Sequence, residues 1–197
     1  IVYKPMVVRP FFGSFVLVFI VALLAPEVAR ADGQLSARIG FGAGKRFTDT
    51  EDEVVFDTSL KSEFLFGPPR HRTFRIGPAL EIRTADFWSI EGAAGGSLLV
   101  PTGDFALLFT GLVGYAHRKQ APSGAVGVGT LSWGYRGYNY HSIYGWGLHL
   151  YASARRSLTG DEVLEFTGGV EIDVMFTTII PALAVKNMFS SEDPHEK

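Results

Sequence analysis

Few residues of this chain could do covalent chemistry. Its five histidines, His71, His117, His141, His149 and His195, are dispersed over 197 residues, and there is no cysteine. A catalytic base must lie within hydrogen-bond reach of the hydroxyl it activates. His141 and Ser142 are adjacent, so on a strand they point to opposite faces. His149 and Ser153 share a face, but four residues of extended chain separate them by roughly 13 Å. Only a cross-strand hydroxyl such as Ser132 is left for His149. The histidines also lack the spacing of metal ligands. The residue types therefore predict no catalytic centre, no metal site and no cofactor. Gly40, Gly42 and Gly44 of GFGAG could suggest a phosphate loop, but that motif needs a helix after the glycines, and charged loop residues follow instead. Alternate glycines on one face leave room for large neighbours such as Arg38.

The charged residues carry more information. In LEFTGGVEIDV, Glu165, Glu171 and Asp173 fall on one face of a strand, while Leu164, Phe166, Val170, Ile172 and Val174 fall on the other. The same period of two recurs along the chain. Apolar faces carry Leu35, Ala37, Ile39 and Phe41; Val54, Phe56, Leu60, Phe64 and Phe66; Phe74, Ile76, Leu80 and Ile82; Trp88, Ile90, Leu98 and Val100; Leu131, Trp133 and Tyr135; and Tyr144, Trp146, Leu148 and Leu150. Opposite faces carry Arg38, Asp57, Lys61, Glu63, Arg75, Glu81, Arg83, Glu91, Arg136, His149, Arg155, Glu165, Glu171 and Asp173. Leaving His149 aside, six of these are basic and seven acidic. A closed interior requires such a balance, because an unpaired buried charge is heavily penalised. Ala106, Leu108 and Leu112 interrupt the alternation in one segment.

Eight strands are needed to position these faces, at 34–46, 53–66, 73–83, 87–100, 105–117, 125–136, 141–156 and 162–176. Between them FTDTEDE, GPPRHR, TAD, PTGD, RKQAPSG, GYNY and SLTGD supply the Pro, Gly, Asn and Asp of reversing turns. Short connections make sequential neighbours antiparallel, so the expected fold is an all-β up-and-down barrel. Each strand reaches the 9 to 11 residues or so that a tilted membrane crossing needs. Phe64, Phe66, Phe74, Phe105, Trp133, Tyr135, Tyr144, Trp146 and Phe176 gather toward the end where the chain enters and leaves. Phe47, Trp88, Tyr115 and Phe166 gather toward the other. Two aromatic rows around an apolar band suit a barrel whose apolar face meets lipid.

Ahead of the strands, Lys4 and Arg9 precede the 14-residue apolar run FFGSFVLVFIVALL, and Ala29-Arg30-Ala31 follows it. This is the order of a secretory signal, whereas a membrane helix needs about 20 residues. Three segments are expected: a signal at 1–31, a barrel at 32–177 and a tail at 178–197. Without the signal the chain keeps 15 basic and 19 acidic residues, a formal charge of −4, so nucleic acid is not an expected partner.

A signal followed by eight such strands resembles the small outer-membrane β-barrels typified by the transmembrane domain of outer membrane protein A. The resemblance implies an eight-stranded antiparallel transmembrane barrel in the bacterial outer membrane, with a structural or surface-interaction role. Its partners would be outer-membrane lipids and the barrel assembly machinery; no surface ligand is identified. Members usually end on an aromatic residue, whereas here about twenty residues follow Phe176. Two alternatives are a soluble periplasmic β-barrel binding an apolar ligand and a lipid-modifying barrel enzyme similar to the lipid A deacylases, which carry His, Ser and an acidic partner. In the barrel reading Arg38, Lys61, Glu63, Glu91, His149, Arg155, Glu165, Glu171 and Asp173 form a lumen charge network. Closure is expected to bring Arg38 to Glu171 and Asp173, to set Gly145 and Gly147 opposite Asp173 and Glu171, and to place Arg155 diagonal to Glu165. His149 is expected to be held by a carboxylate, and Arg118 to stand exposed beside a loop.

Overall fold

The alternating segments fold as eight antiparallel strands: β1 (Gly33–Phe47), β2 (Asp52–Phe66), β3 (Arg75–Ala85), β4 (Ser89–Thr102), β5 (Phe105–His117), β6 (Gly124–Gly137), β7 (Trp146–Ser157) and β8 (Leu164–Asp173). They belong to a computed structural model that describes residues 33–49, 51–67, 73–86, 89–103, 105–118, 123–137, 146–159 and 162–174. The expected signal and tail lie outside the described residues. Each strand pairs with the next, and β8 pairs back onto β1 from Arg38↔Asp173 to Phe47↔Leu164, closing the barrel.

The strands are staggered. Partners followed once around from Arg38, through Lys61, Glu81, Ala93, Gly114, Val126 and Ser157, return to β1 beside Thr48, ten residues further on. Hydrogen-bonded rows therefore climb around the wall, as strand tilt in a closed sheet demands. β3 runs to Ala85, two residues past its expected end. Asp86, at φ 52°, turns the chain there, donating its N–H to the Phe56 carbonyl and accepting the Phe56 N–H on Oδ1, both at 2.9 Å.

Inward glycines let the wall bend. A Cβ on Gly44 would collide with the β8 backbone at Phe166 and Thr167, and one on Gly134 with the β7 backbone at Leu148 and His149. On the outer wall, a Cβ on Gly111 meets nothing within 4 Å. Gly44→Val should therefore destabilise the barrel by about 1–3 kcal/mol through overpacking, while Gly111→Val should not. Urea unfolding of the two variants in one detergent checks this, and equal midpoints would contradict the close approach at the β1–β8 seam.

Apolar side chains face out and charged ones face in. Phe74 is 70% and Ile76 65% exposed, whereas Arg38 is 1% exposed. The outward run from Leu35 to Ala43 on β1, and its neighbours, make a band roughly 20 Å tall at a strand tilt near 40°. This is an all-β, closed eight-stranded up-and-down barrel with its apolar face outward.

The interior has two sectors. Leu65, Leu99, Ala106 and Leu108 form one buried apolar cluster, and Ala79, Ala93, Leu112, Ala116, Val126 and Val128 form another. Ala106, Leu108 and Leu112, which broke the sequence alternation, fill the lumen along β5. Charged side chains fill the remaining space.

Candidate functional site

Each charged side chain of the lumen comes from an inward position, so its partners lie across strands and across the barrel. One unbroken series of contacts runs through the interior. Arg155 bonds both Glu91 and Glu81. Glu81 lies 3.3 Å from Lys61, and Lys61 donates to Glu171 at 2.7 Å. Glu171 lies 3.1 Å from Arg38, which donates to Glu63 at 3.0 Å. Glu63 also accepts from Arg136 at 2.6 Å and from Ser36 at 3.0 Å. Arg136 and Arg75 then share the Gln34 side-chain oxygen, at 3.2 and 2.9 Å.

A second series starts at the end remote from the chain termini. Arg46 lies 3.2 Å from Glu53 and 3.8 Å from Asp86, and donates to Glu165 at 3.0 Å. Glu165 also binds Arg83, which donates to Asp57 at 2.8 Å, and Asp57 accepts from the Tyr151 hydroxyl at 2.8 Å. Signs alternate along the second series and along the first from Glu91 to Arg136, so those charges are compensated by neighbours rather than by water, while Arg75 joins through the neutral Gln34 amide. Gly40 and Gly42 make space here: Gly42 lies against the Tyr151 hydroxyl and Asp57, and Gly40 against Ser59, Glu171 and Tyr151. The room they leave is thus used by Ser59 at Gly40 and by Tyr151 and Asp57 at Gly42, rather than by Arg38.

The structure brings together Arg38, Lys61, Glu63, Glu91, Arg155, Glu165 and Glu171 through these contacts. Asp173 stands opposite Arg38 in register and is fully buried. Four expectations need correction. His149 is buried opposite Glu171, yet neither ring nitrogen has a hydrogen-bond partner among the described residues, because Arg38, Lys61 and Ser132 occupy that carboxylate. It is His149, not Gly147, that faces Glu171 in register; Gly145 lies outside the described residues. Arg155 lies directly opposite Glu165 rather than diagonal to it, but its guanidinium turns to Glu81 and Glu91, since Arg46 and Arg83 hold Glu165. Arg118 is 9% exposed, because it continues the inward parity of β5 beyond Ala116.

Sequence reading missed Arg46, Gln34 and Tyr151. Parity alone assigns all three: Arg46 and Gln34 share the even positions of Arg38 on β1, and Tyr151 the odd positions of His149 on β7. Ser132 donates to Glu171 at 3.2 Å, so its hydroxyl serves the ion network rather than His149. Ser123 lies 3.3 Å from His117 Nδ1 in an exposed turn, where it also accepts the Arg118 N–H at 3.0 Å. Among the described residues no group of three His, Asp or Glu side chains could hold a metal ion.

Aromatic side chains gather outside at the two ends of the wall. Phe64 meets Phe66 edge-on with centroids 5.2 Å apart, and Phe105 stacks on Trp133 at 5.2 Å; Phe74 and Tyr135 are exposed at the same end. Tyr144, Phe176 and the Trp146 side chain lie outside the described residues. At the far end Phe47 meets Phe166 edge-on at 6.3 Å, and Tyr115 is exposed at the same end on β5. In strand count, meander and reversed faces the architecture resembles the small eight-stranded outer-membrane barrels. A solved structure similar to it is that of Ail, the attachment invasion locus protein of Yersinia pestis, in complex with the heparin analogue sucrose octasulfate. The two share 11% identity at a TM-score of 0.39, over 72% of this chain and 99% of that one. Comparison with protein families and with curated proteins gives no match.

Proposed function

We propose that the chain is a structural β-barrel of the bacterial outer membrane whose lumen is closed by its own side chains. Residues 1–31 direct secretion and are removed, and the assembly machinery inserts the barrel, leaving 178–197 as a tail. Membrane lipids cover the apolar band, and the two outward aromatic rows sit at its interfaces with water. Lumen charges then act as a structural core, with Arg38, Lys61, Glu63, Glu91, Arg155, Glu165 and Glu171 as its joints. The observation that carries the reading is the inversion of burial, with Phe74 and Ile76 exposed and Arg38, Glu63 and Glu171 buried. Water around such a wall would leave a large contiguous apolar surface unburied, which soluble monomers avoid. The interior of an eight-stranded barrel is only wide enough to be packed by side chains. Connections at the end remote from the termini, 48–51, 86–88, 118–123 and 158–163, reach at most six residues, which favours a role for the wall over one for long surface loops.

The expected result is a mature chain beginning at Asp32, found in the outer-membrane fraction, released only by detergent, and migrating differently on a gel before and after heating. A chain that stays in solution without detergent would overturn the reading.

A further inference from the structure

The outer wall is uneven. On β4, β5, β6 and β7 the outward positions of one register row are Gly96, Gly111, Gly129 and Ala154. The adjoining row carries Ile76, Leu98, Phe109 and Leu131 on β3 to β6, all prominently exposed. Between these ridges and Phe166 on β8 lies an apolar groove with a volume of about 1060 Å³. Internal packing does not call for these glycines. A Cβ would meet nothing within 4 Å at Gly111 or Gly129, and only the Gly77 carbonyl, at 3.5 Å, at Gly96. Glycine inside a strand weakens it, and where neither a bulge nor internal packing requires it, it suits the close approach of a ligand.

The stagger gives the groove a direction. From Gly96 to Ala154 the row crosses three strand intervals and climbs roughly 9 Å toward the end remote from the termini. There the next outward position on β7 is Arg156, and Lys45 faces Phe166 in register across β1 and β8. Among the described residues these are the outward-facing Lys and Arg side chains, and both stand at this upper end, 66% and 50% exposed. Their partners Glu162 and Asp52 are also exposed, at 80% and 48%, so these pairs hold weakly and can exchange for another anion. Lys45 also lies 5.1 Å over the Phe47 ring, keeping its ammonium at an aromatic collar.

We infer that this surface holds an anionic membrane lipid, with an acyl chain lying along the groove and the headgroup phosphate bound by Arg156 and Lys45. The charge complementarity is one-sided, because the lipid-facing wall below these cations carries no Asp, Glu, Lys or Arg among the described residues. The inference rests on the membrane reading and adds a lipid class and a place on the wall.

Native mass spectrometry of the full chain tests it, using mixed micelles of phosphatidic acid and phosphatidylcholine with identical acyl chains. The unaltered protein should retain phosphatidic acid in preference. Arg156→Gln with Lys45→Gln should reduce that preference, by about five-fold for each cation removed. Gly111→Leu with Gly129→Leu should instead lower retention of both lipids, since it fills the groove and leaves the cations in place. Heat-modifiable migration confirms that each variant folds. Equal retention of the two lipids by the unaltered chain, or unchanged retention in either variant, overturns the lipid site while a detergent-requiring barrel stands. A chain that is soluble without detergent and retains neither lipid overturns the membrane reading as well.

Discussion

Arg38→Ala should lower the unfolding free energy by about 3 kcal/mol, the lower end of the usual cost of breaking a buried ion pair. Arg38 is 1% exposed and bridges Glu63 on β2 to Glu171 on β8, at 3.0 and 3.1 Å, across the strand that closes the barrel. Its loss leaves both carboxylates buried. Neither is abandoned: Glu63 keeps Arg136 at 2.6 Å, and Glu171 keeps Lys61 at 2.7 Å. That residual compensation is why the lower end of the range is expected. The comparison is Arg156→Ala, where a side chain 66% exposed is lost and the change should stay within about 0.5 kcal/mol. Arg118 cannot serve as this control, because it is buried at the lumen mouth. Urea midpoints in one detergent separate the cases. Coincident midpoints for the Arg38 and Arg156 variants would mean that the lumen is wet enough to screen the network.

The faces of this barrel were legible because a strand has a period of two, so each residue's parity decides its side once the strand is recognised. That logic placed Glu165, Glu171 and Asp173 inward, the last two beside Arg38 once the barrel closes, and it would also have placed Arg46, Gln34 and Tyr151 had it been run to the strand ends. It did not give the partners. Arg155 stands opposite Glu165 in register yet bonds Glu81 and Glu91, because a long guanidinium reaches across the lumen to whichever carboxylate other cations have left open. Partner choice thus depends on the ten-residue stagger, which accumulates from seven separate turn registers and the β8–β1 seam. His149 shows the same limit: facing Glu171 in register did not secure a hydrogen bond, because three other donors reach that carboxylate. Ala106, Leu108 and Leu112 looked like a failure of alternation and are instead the apolar sector of the interior. A side-chain-filled lumen needs only enough charge to satisfy itself, and the rest can be hydrocarbon.

Val170→Arg should cost about 2–4 kcal/mol, the penalty for a basic side chain on the lipid face near the bilayer midplane. Val170 faces outward on β8, in register with Phe41 and Leu150, whose side chains are 53% and 57% exposed. No protein core covers this position, so in water an arginine here should change stability by no more than about 0.5 kcal/mol. The magnitude therefore reports the solvent. Leu164 provides the depth control. It lies six residues up the same strand, roughly 15 Å along the barrel axis at a tilt near 40°, in the register row of Phe47 and Arg156. Near that interface an arginine can reach headgroups and water, and Leu164→Arg should cost only about 0–1 kcal/mol. Urea unfolding of both variants in lipid vesicles measures the difference. Quenching of a label at position 170 by quenchers carried on lipid acyl chains measures the depth directly. If both arginines are tolerated equally and the label is not quenched, the wall faces water and the apolar band requires a different partner.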